Sequence, residues 1–418
     1  MTPGVPDILW IVTTQWRGQA LGYAGDVNAS TPCLDRLAAR SMNYRQAVTP
    51  HPFGPWARAA MLTGVSSPEN GIRDYFDPLP RDAQTVAHRL RAIDYSTAFF
   101  GKWHLSARDP NLPLVGEAHA RLVVDPDARG GFDCWEGFEG GFLLNDPWLH
   151  GTRLATPQRF AGYQADVLAR RTTDWILDRY EADAGSVPEV CRPWFAIVSL
   201  EAPHPPYDAP ASEGRAVDPA NLILGPNVSR GGDIEAQARR ELAGYYRHIS
   251  ATDRAIGALV AAVDAAASRV GRPAPLIVFT SVHGDMHGAH GLFRKGWPYE
   301  ESVRVPLLVR RPDASAGFSD EAISLLDLLP LTLAWATGRS SPPRPAASRI
   351  SMPSVVALPH QCDRPWRGIR TANRKLILSN DRPWLFFDLA TDPDELRNLA
   401  DDPGRAAEIA ELRRTSGL

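Results

Sequence analysis

Cysteine is scarce in this chain: Cys33, Cys134, Cys191 and Cys362 are the only ones, far apart and without a Cys-x-x-Cys pair. That excludes a disulfide-dense framework and leaves reduced, individually placed thiols. An excess of either charge is also missing. The formal net charge is −3 over 418 residues, which gives no electrostatic reason to expect nucleic acid or an anionic membrane as partner. Long apolar runs are absent too. The first, Ile8 to Val12, is too short to span a bilayer. Ahead of it, Met1-Thr2-Pro3-Gly4 shows no basic region and no cleavage-type site. What remains is a composition of 44% hydrophobic and 22% charged residues, which suits a folded, soluble chain. The expectation is a cytoplasmic protein with a small-molecule partner.

What is present is an alternation of strand and helix patterns. Ile8 to Val12 is continuously apolar, as in a parallel strand covered on both faces. Helix patterns follow at Thr31 to Ser41 and Ala83 to Ala92, with strands at Ser96 to Phe100 and Trp194 to Leu200. A long helix pattern runs from Ile234 to Val270, and Leu276 to Thr280 and Val305 to Val309 read as further strands. This order predicts an α/β fold, a doubly wound, mostly parallel sheet flanked by helices. Ligands of such sheets gather at the carboxyl ends of the strands, here the loops after Val12, Phe100, Leu200 and Thr280. Composition divides the chain into a core domain over 1–340, a Ser-, Pro- and Arg-rich connector over 341–358 and a small C-terminal domain over 359–418. The last is expected to be α+β, with a short antiparallel sheet from Lys375 to Leu378 and Trp384 to Phe387 and a terminal helix.

The four loops carry specific motifs. Pro6-Asp7-Ile8-Leu9-Trp10-Ile11-Val12, Ala20-Leu21-Gly22 and Thr31-Pro32-Cys33-Leu34-Asp35-Arg36-Leu37 come first, then Arg58-Ala59-Ala60-Met61-Leu62-Thr63-Gly64. Gly101-Lys102-Trp103-His104, Pro203-His204-Pro205-Pro206-Tyr207 and Lys295-Gly296-Trp297-Pro298-Tyr299-Glu300-Glu301 follow, with Phe387-Asp388-Leu389 and Asn398-Leu399-Ala400 near the end. In this order they resemble the sulfatase family of the alkaline phosphatase superfamily, almost end to end.

The resemblance implies a calcium site of paired aspartates after the first strand and an Asp-His or Asp-Asn pair after a later one. It also implies a Cys or Ser converted to formylglycine. Here Thr14 and Gln15 stand where the paired aspartates belong, Val282 stands in place of the later aspartate beside His283, and Gly54 holds the nucleophile position. Calcium takes about six to eight oxygen ligands, so a site stripped of those carboxylates is not expected to bind it. Glycine offers no nucleophile. No cofactor is expected. His283, Asp285, His287 and His290 share one Gly-rich loop, where a transition metal could use His283 and His287, but zinc would need a third ligand in tetrahedral geometry, on which the sequence gives no evidence.

By the same resemblance, Lys102, His104, His204 and Lys295 surround the family's sulfate group and Arg58 flanks the nucleophile. Their retention points to an anion site, with Arg58, Lys102, His204 and Lys295 as substrate-binding residues. Lys102, His104, His204, His283 and Lys295 are the candidates for catalysis, since lysine and histidine can hold an oxyanion and exchange protons without metal. Metal-independent elimination, cyclisation or group transfer on an anionic small molecule is the leading expectation. A non-catalytic pseudo-sulfatase that binds or scaffolds, and a residual sulfate or phosphate ester hydrolase, are the alternatives. Trp103, Trp297 and Tyr299 are read as packing, Asp253 as structural, and His51, His88, His119, His150, His248 and His360 as surface or incidental.

Overall fold

The computed structural model describes residues 5–182, 192–211 and 213–418, so Cys191 lies outside the described residues. A ten-stranded sheet runs, from one edge, Gly317–Ser319, Met42–Tyr44, Leu307–Arg310, Leu276–Ser281, Ile8–Thr13, Trp194–Ser199, Ser96–Lys102, Cys134–Phe138, Trp148–Gly151 and Leu154–Arg159. The strands from Leu276–Ser281 to Cys134–Phe138 are mutually parallel. Leu307–Arg310 pairs antiparallel to Leu276–Ser281, and Trp148–Gly151 antiparallel to Cys134–Phe138, so the sheet is mixed at its flanks.

The central strand shows why the layers form. Ile8, Trp10 and Val12 point to one face and Leu9 and Ile11 to the other, and none is exposed. Each large side chain buried this way contributes about 1.5–3 kcal/mol of transfer free energy. Helices Gln164–Ala182 and Gly232–Arg269 cover the Leu9 face, whereas Gly54–Thr63, Val86–Arg91 and Leu328–Thr337 cover the Trp10 face. Among the described residues no helix is long and apolar enough to cross a membrane.

Several elements differ from the sequence expectation. Gly54–Thr63 is a helix, opened by Pro55 in its first turn and closed by Gly64 at φ 68°. The helices Gln164–Ala182 and Leu328–Thr337 and the hairpin Trp148–Arg159 were also not anticipated. The C-terminal sheet has four antiparallel strands, Ala347–Met352, Trp366–Thr371, Arg374–Ser379 and Arg382–Asp388. Its first strand comes from the segment that composition placed in the connector. Asp253 accepts the backbone N–H groups of Cys33 and Leu34 at 3.0 and 2.7 Å and so caps helix Pro32–Ala38. Of the histidines read as surface, His51, His119, His150 and His248 are buried, their hydrophobic surroundings holding each of them down to about 4.

Candidate functional site

The carboxyl ends of neighbouring parallel strands bring the predicted residues together. Thr14 and Gln15 follow Ile8–Thr13, Lys102 ends Ser96–Lys102 ahead of His104, His204 follows Trp194–Ser199, and His283 follows Leu276–Ser281. All of these but Gln15 line a cavity of about 430 Å³ with Lys295 and Gly54. Much of its wall is apolar, formed by Phe53, Leu114, Phe142, Pro205, Pro206 and Leu358, and Arg294, His360 and Gln361 also border it. Gln15, His104 and Phe142 all take left-handed backbone angles, at φ 66°, 58° and 56°, a strain that non-glycine residues bear chiefly at functional sites.

The cations predicted to bind the anion are not equivalent. Lys102 Nζ donates to Glu201 Oε1 at 2.6 Å with both groups buried, so its charge is answered. Arg58 does not line the cavity. Its guanidinium lies beneath, donating to Ser199 Oγ at 2.6 Å, Thr14 Oγ1 at 2.8 Å and the Lys102 carbonyl at 3.1 Å. Burial lowers it to about 10, partly offset by Glu201 and Glu139. Lys295 is 8% exposed, and its Nζ lies 2.6 Å from Gln15 Oε1 and 3.1 Å from His204 Nε2. Among the described residues no carboxylate comes within 4.0 Å of it. Burial, then the charge of Lys102, lowers Lys295 to about 7, against the pull of Asp285.

The histidines are neutral bases. Burial is the largest cause holding His104, His204 and His283 well below the usual imidazole value, and nearby cations add to it. His283 Nδ1 faces the Gly284 carbonyl at 2.9 Å and must donate there, while its Nε2 is buried and finds no partner among the described residues. His104 Nδ1 is likewise unpartnered and points at Gly54. A Cβ on Gly54 would lie 2.7 Å from that nitrogen, so the residue at the nucleophile position has to be glycine while His104 keeps its place.

A divalent cation does not fit the residues that replace the family's metal carboxylates. Thr14 Oγ1 already accepts from Arg58 and donates to the Leu200 carbonyl at 3.0 Å. The Gln15 amide is fixed between Lys295 and Asp285, donating Nε2 to Asp285 Oδ2. Val282 is fully buried among Trp10, Phe53 and Val303. Protein cations therefore touch the positions where ligand oxygens would be needed. His283 and His287 do not converge on a metal either. His287 packs against Tyr207 and Tyr245, 3.6 Å from Glu241 Oε2 and 3.8 Å from Asp285 Oδ2. Among the described residues one set, His290, Glu301 and Glu395, brings three ligand atoms within 4.8 Å of one another, beside Lys375 of the C-terminal sheet. There Asn227 Nδ2 donates to Glu301 Oε1 at 2.7 Å and Lys375 Nζ reaches Glu395 Oε1 at 2.5 Å.

Several site residues were not picked out from sequence. Glu201 pairs Lys102, and the only signal was its place just past the run Trp194 to Leu200. Glu139 is buried near Arg108 and rises to about 7 by desolvation. Asp285, singled out from sequence only as a member of the loop that carries His283, His287 and His290, accepts from Tyr207 Oη at 2.5 Å and anchors Gln15. Phe142 stacks on His204 at 4.6 Å and lies under Lys102 Nζ at 4.6 Å.

The sequence profile described as Sulfatase matches residues 6–338. The chain belongs to the sulfatase family. It is 32% identical over 425 residues to an ulvan-active sulfatase of Formosa agariphila, covering 96% of this chain and 78% of that one. A choline-sulfatase of Rhizobium meliloti is 28% identical over 449 residues, covering 99% and 86%. Among solved structures, a sulfatase-type protein of Bacteroides fragilis superposes with a TM-score of 0.83 at 22% identity, over 99% of this chain and 95% of that one. A phosphonate monoester hydrolase of Agrobacterium radiobacter does so with 0.71 at 20%, over 98% and 94%. At these identities the structural likeness establishes the fold.

Proposed function

We propose that this sulfatase-family protein binds the anionic group of a small molecule in the old sulfate pocket and acts on it by metal-independent acid–base chemistry, as an elimination, cyclisation or group transfer. The observation that carries this reading is the pair of buried, unpartnered ring nitrogens, His104 Nδ1 and His283 Nε2, on residues that line a cavity together with Lys102 and Lys295. An anion at the floor would be held by the Lys102 ammonium, by Lys295 protonated as the anion binds, and by the amino end of helix Gly54–Thr63, where partial positive charge and free N–H groups collect. The neutral imidazoles above it accept or return a proton of the bound molecule. Departure of a sulfate or phosphate group from carbon needs this electrostatic support and no nucleophile at Gly54. The relatives named for sulfate and phosphonate esters support a tetrahedral oxyanion as the group recognised. The same reading places the protein in the cytoplasm, where Cys33, Cys134 and Cys362, free in this structure, stay reduced.

Turnover of a panel of sulfate and phosphate monoesters and of anionic metabolites, measured in EDTA, tests the proposal. Product in chelator that is lost in H283A and H104A supports it. Binding without product for every compound favours a pseudo-sulfatase, and simple hydrolysis requiring added calcium overturns the metal-independent reading.

A further inference from the structure

We propose that Lys295 acts as an amine nucleophile toward a carbonyl carbon, so that the pocket takes an aldehyde or ketone and holds it covalently as an imine. The geometry of hydrogen bonding carries the inference. His204 Nδ1 lies 2.8 Å from the Pro205 carbonyl, which only accepts, so Nδ1 carries the hydrogen and Nε2 is left as an acceptor. Gln15 gives its Nε2 hydrogens to Asp285 and Tyr207, which leaves Oε1 as the atom facing Lys295. Both neighbours of Lys295 Nζ are therefore acceptors, and neither is charged. A neutral amine satisfies both with its hydrogens and keeps its lone pair for a third direction. The side chain borders the cavity.

The other lysines of the sequence are Lys102 and Lys375, and each meets a glutamate, at 2.6 Å and 2.5 Å respectively. Lys295 instead has the Phe53 ring 5.3 Å from Nζ and the apolar wall beyond it. Desolvation together with a neighbouring cation is the setting that turns a lysine into a nucleophile at neutral pH. The depression of Lys295 to about 7 agrees with that setting.

The step balances without an oxidant or reductant. The Nζ lone pair forms a bond to the carbonyl carbon, and the carbonyl π pair moves to oxygen. Nitrogen sheds a proton to His204 Nε2, 3.1 Å away, and the imidazolium passes it to the oxygen, giving a neutral carbinolamine. Its hydroxyl takes a proton from solvent and leaves as water as the nitrogen lone pair closes the C=N bond, and the iminium returns a proton to solvent to leave the imine. The apolar walls favour the loss of water. The inference uses the same cavity as the proposed function but not the roles given there to His104 and His283.

Reductive trapping tests it on the full chain. The protein is incubated at about pH 7 with 4-formylbenzoate and sodium cyanoborohydride, in parallel with formaldehyde as a smaller probe, and the lysine peptides are read by mass spectrometry. The expected adduct sits on Lys295, at least about tenfold over Lys102 and Lys375, and the preference disappears in urea. K295R and K295M remove it, and an unchanged unfolding midpoint shows that either variant is folded. Inorganic sulfate that protects Lys295 joins the amine to the anion floor. Trapping without protection leaves this inference standing and counts against the anion reading. A Lys295 that stays unmodified by both probes, or is modified no faster than the other lysines, overturns the inference.

Discussion

At the ends of the two central strands of the C-terminal sheet, Lys375 Nζ lies 3.0 Å from Glu300 Oε1 and 2.5 Å from Glu395 Oε1, and Arg370 reaches Glu300 Oε2 at 3.0 Å. With Glu301 beside them, carboxylates there outnumber cations, and burial plus Glu300 and Glu301 drive Glu395 up to about 8. At the floor of the pocket the balance is reversed. Lys295 meets neutral acceptors only, and burial with Lys102 drives it down to about 7. Both regions bury charge, which is costly unless it is paired. The difference lies in what completes each. The first is closed by protein groups and ties the sheet to the core. The second opens on a cavity, and an anion brought from solution would supply what Lys295 lacks.

The largest effect expected from breaking this comparison is at the closed cluster. K375M leaves Glu300 and Glu395 short of a cation and should cost about 3–5 kcal/mol in urea unfolding. A loss below about 1 kcal/mol would mean that the junction is not held by this lysine. G54S comes next: its side chain must displace His104, at about 1–3 kcal/mol, with no sulfatase activity gained. Hydrolysis of an aryl sulfate by purified G54S would show that the glycine alone blocks the family reaction.

K295M should behave oppositely to K375M. Removing a buried cation without a carboxylate should leave stability within about 1 kcal/mol of the parent or raise it, while sulfate affinity falls tenfold or more. Destabilisation as large as that of K375M would break the comparison.

The subtlest test is the pH profile of stability. A lysine held at about 7 instead of 10.5 binds fewer protons folded than unfolded between those values, so its contribution makes stability rise with pH across that window. A glutamate held at about 8 instead of 4.5 binds more protons folded, so stability falls from 4.5 to 8. K295M should flatten the first slope and E395Q the second, in chemical denaturation across pH. Equal slopes in parent and variants would remove the charge imbalance from the account.

The outline of the sheet was legible because its central strands are short continuous apolar runs, Ile8 to Val12 and Leu276 to Thr280, the pattern of parallel strands covered on both faces. Helix Gly54–Thr63 was not, because Gly-Pro reads as a turn until Phe53 and Gly64 are seen to bound it. The pocket was half legible. The motifs placed Lys102, His104, His204 and His283 at strand ends and Lys295 in the loop after Leu276–Ser281, but which cation is paired depends on Glu201, a lone carboxylate with no pattern around it. Sequence also could not show that Arg58 turns beneath the cavity or that Asp285 fixes the Gln15 amide, since both depend on contacts between segments far apart in the chain.

Calorimetric titration of the purified protein with inorganic sulfate at about pH 7, in EDTA and again in calcium, tests the central claim most directly. The account predicts the same affinity in both, with a proton taken up on binding as Lys295 becomes fully charged. Binding that appears only with calcium, or sulfate that binds without proton uptake, would contradict it.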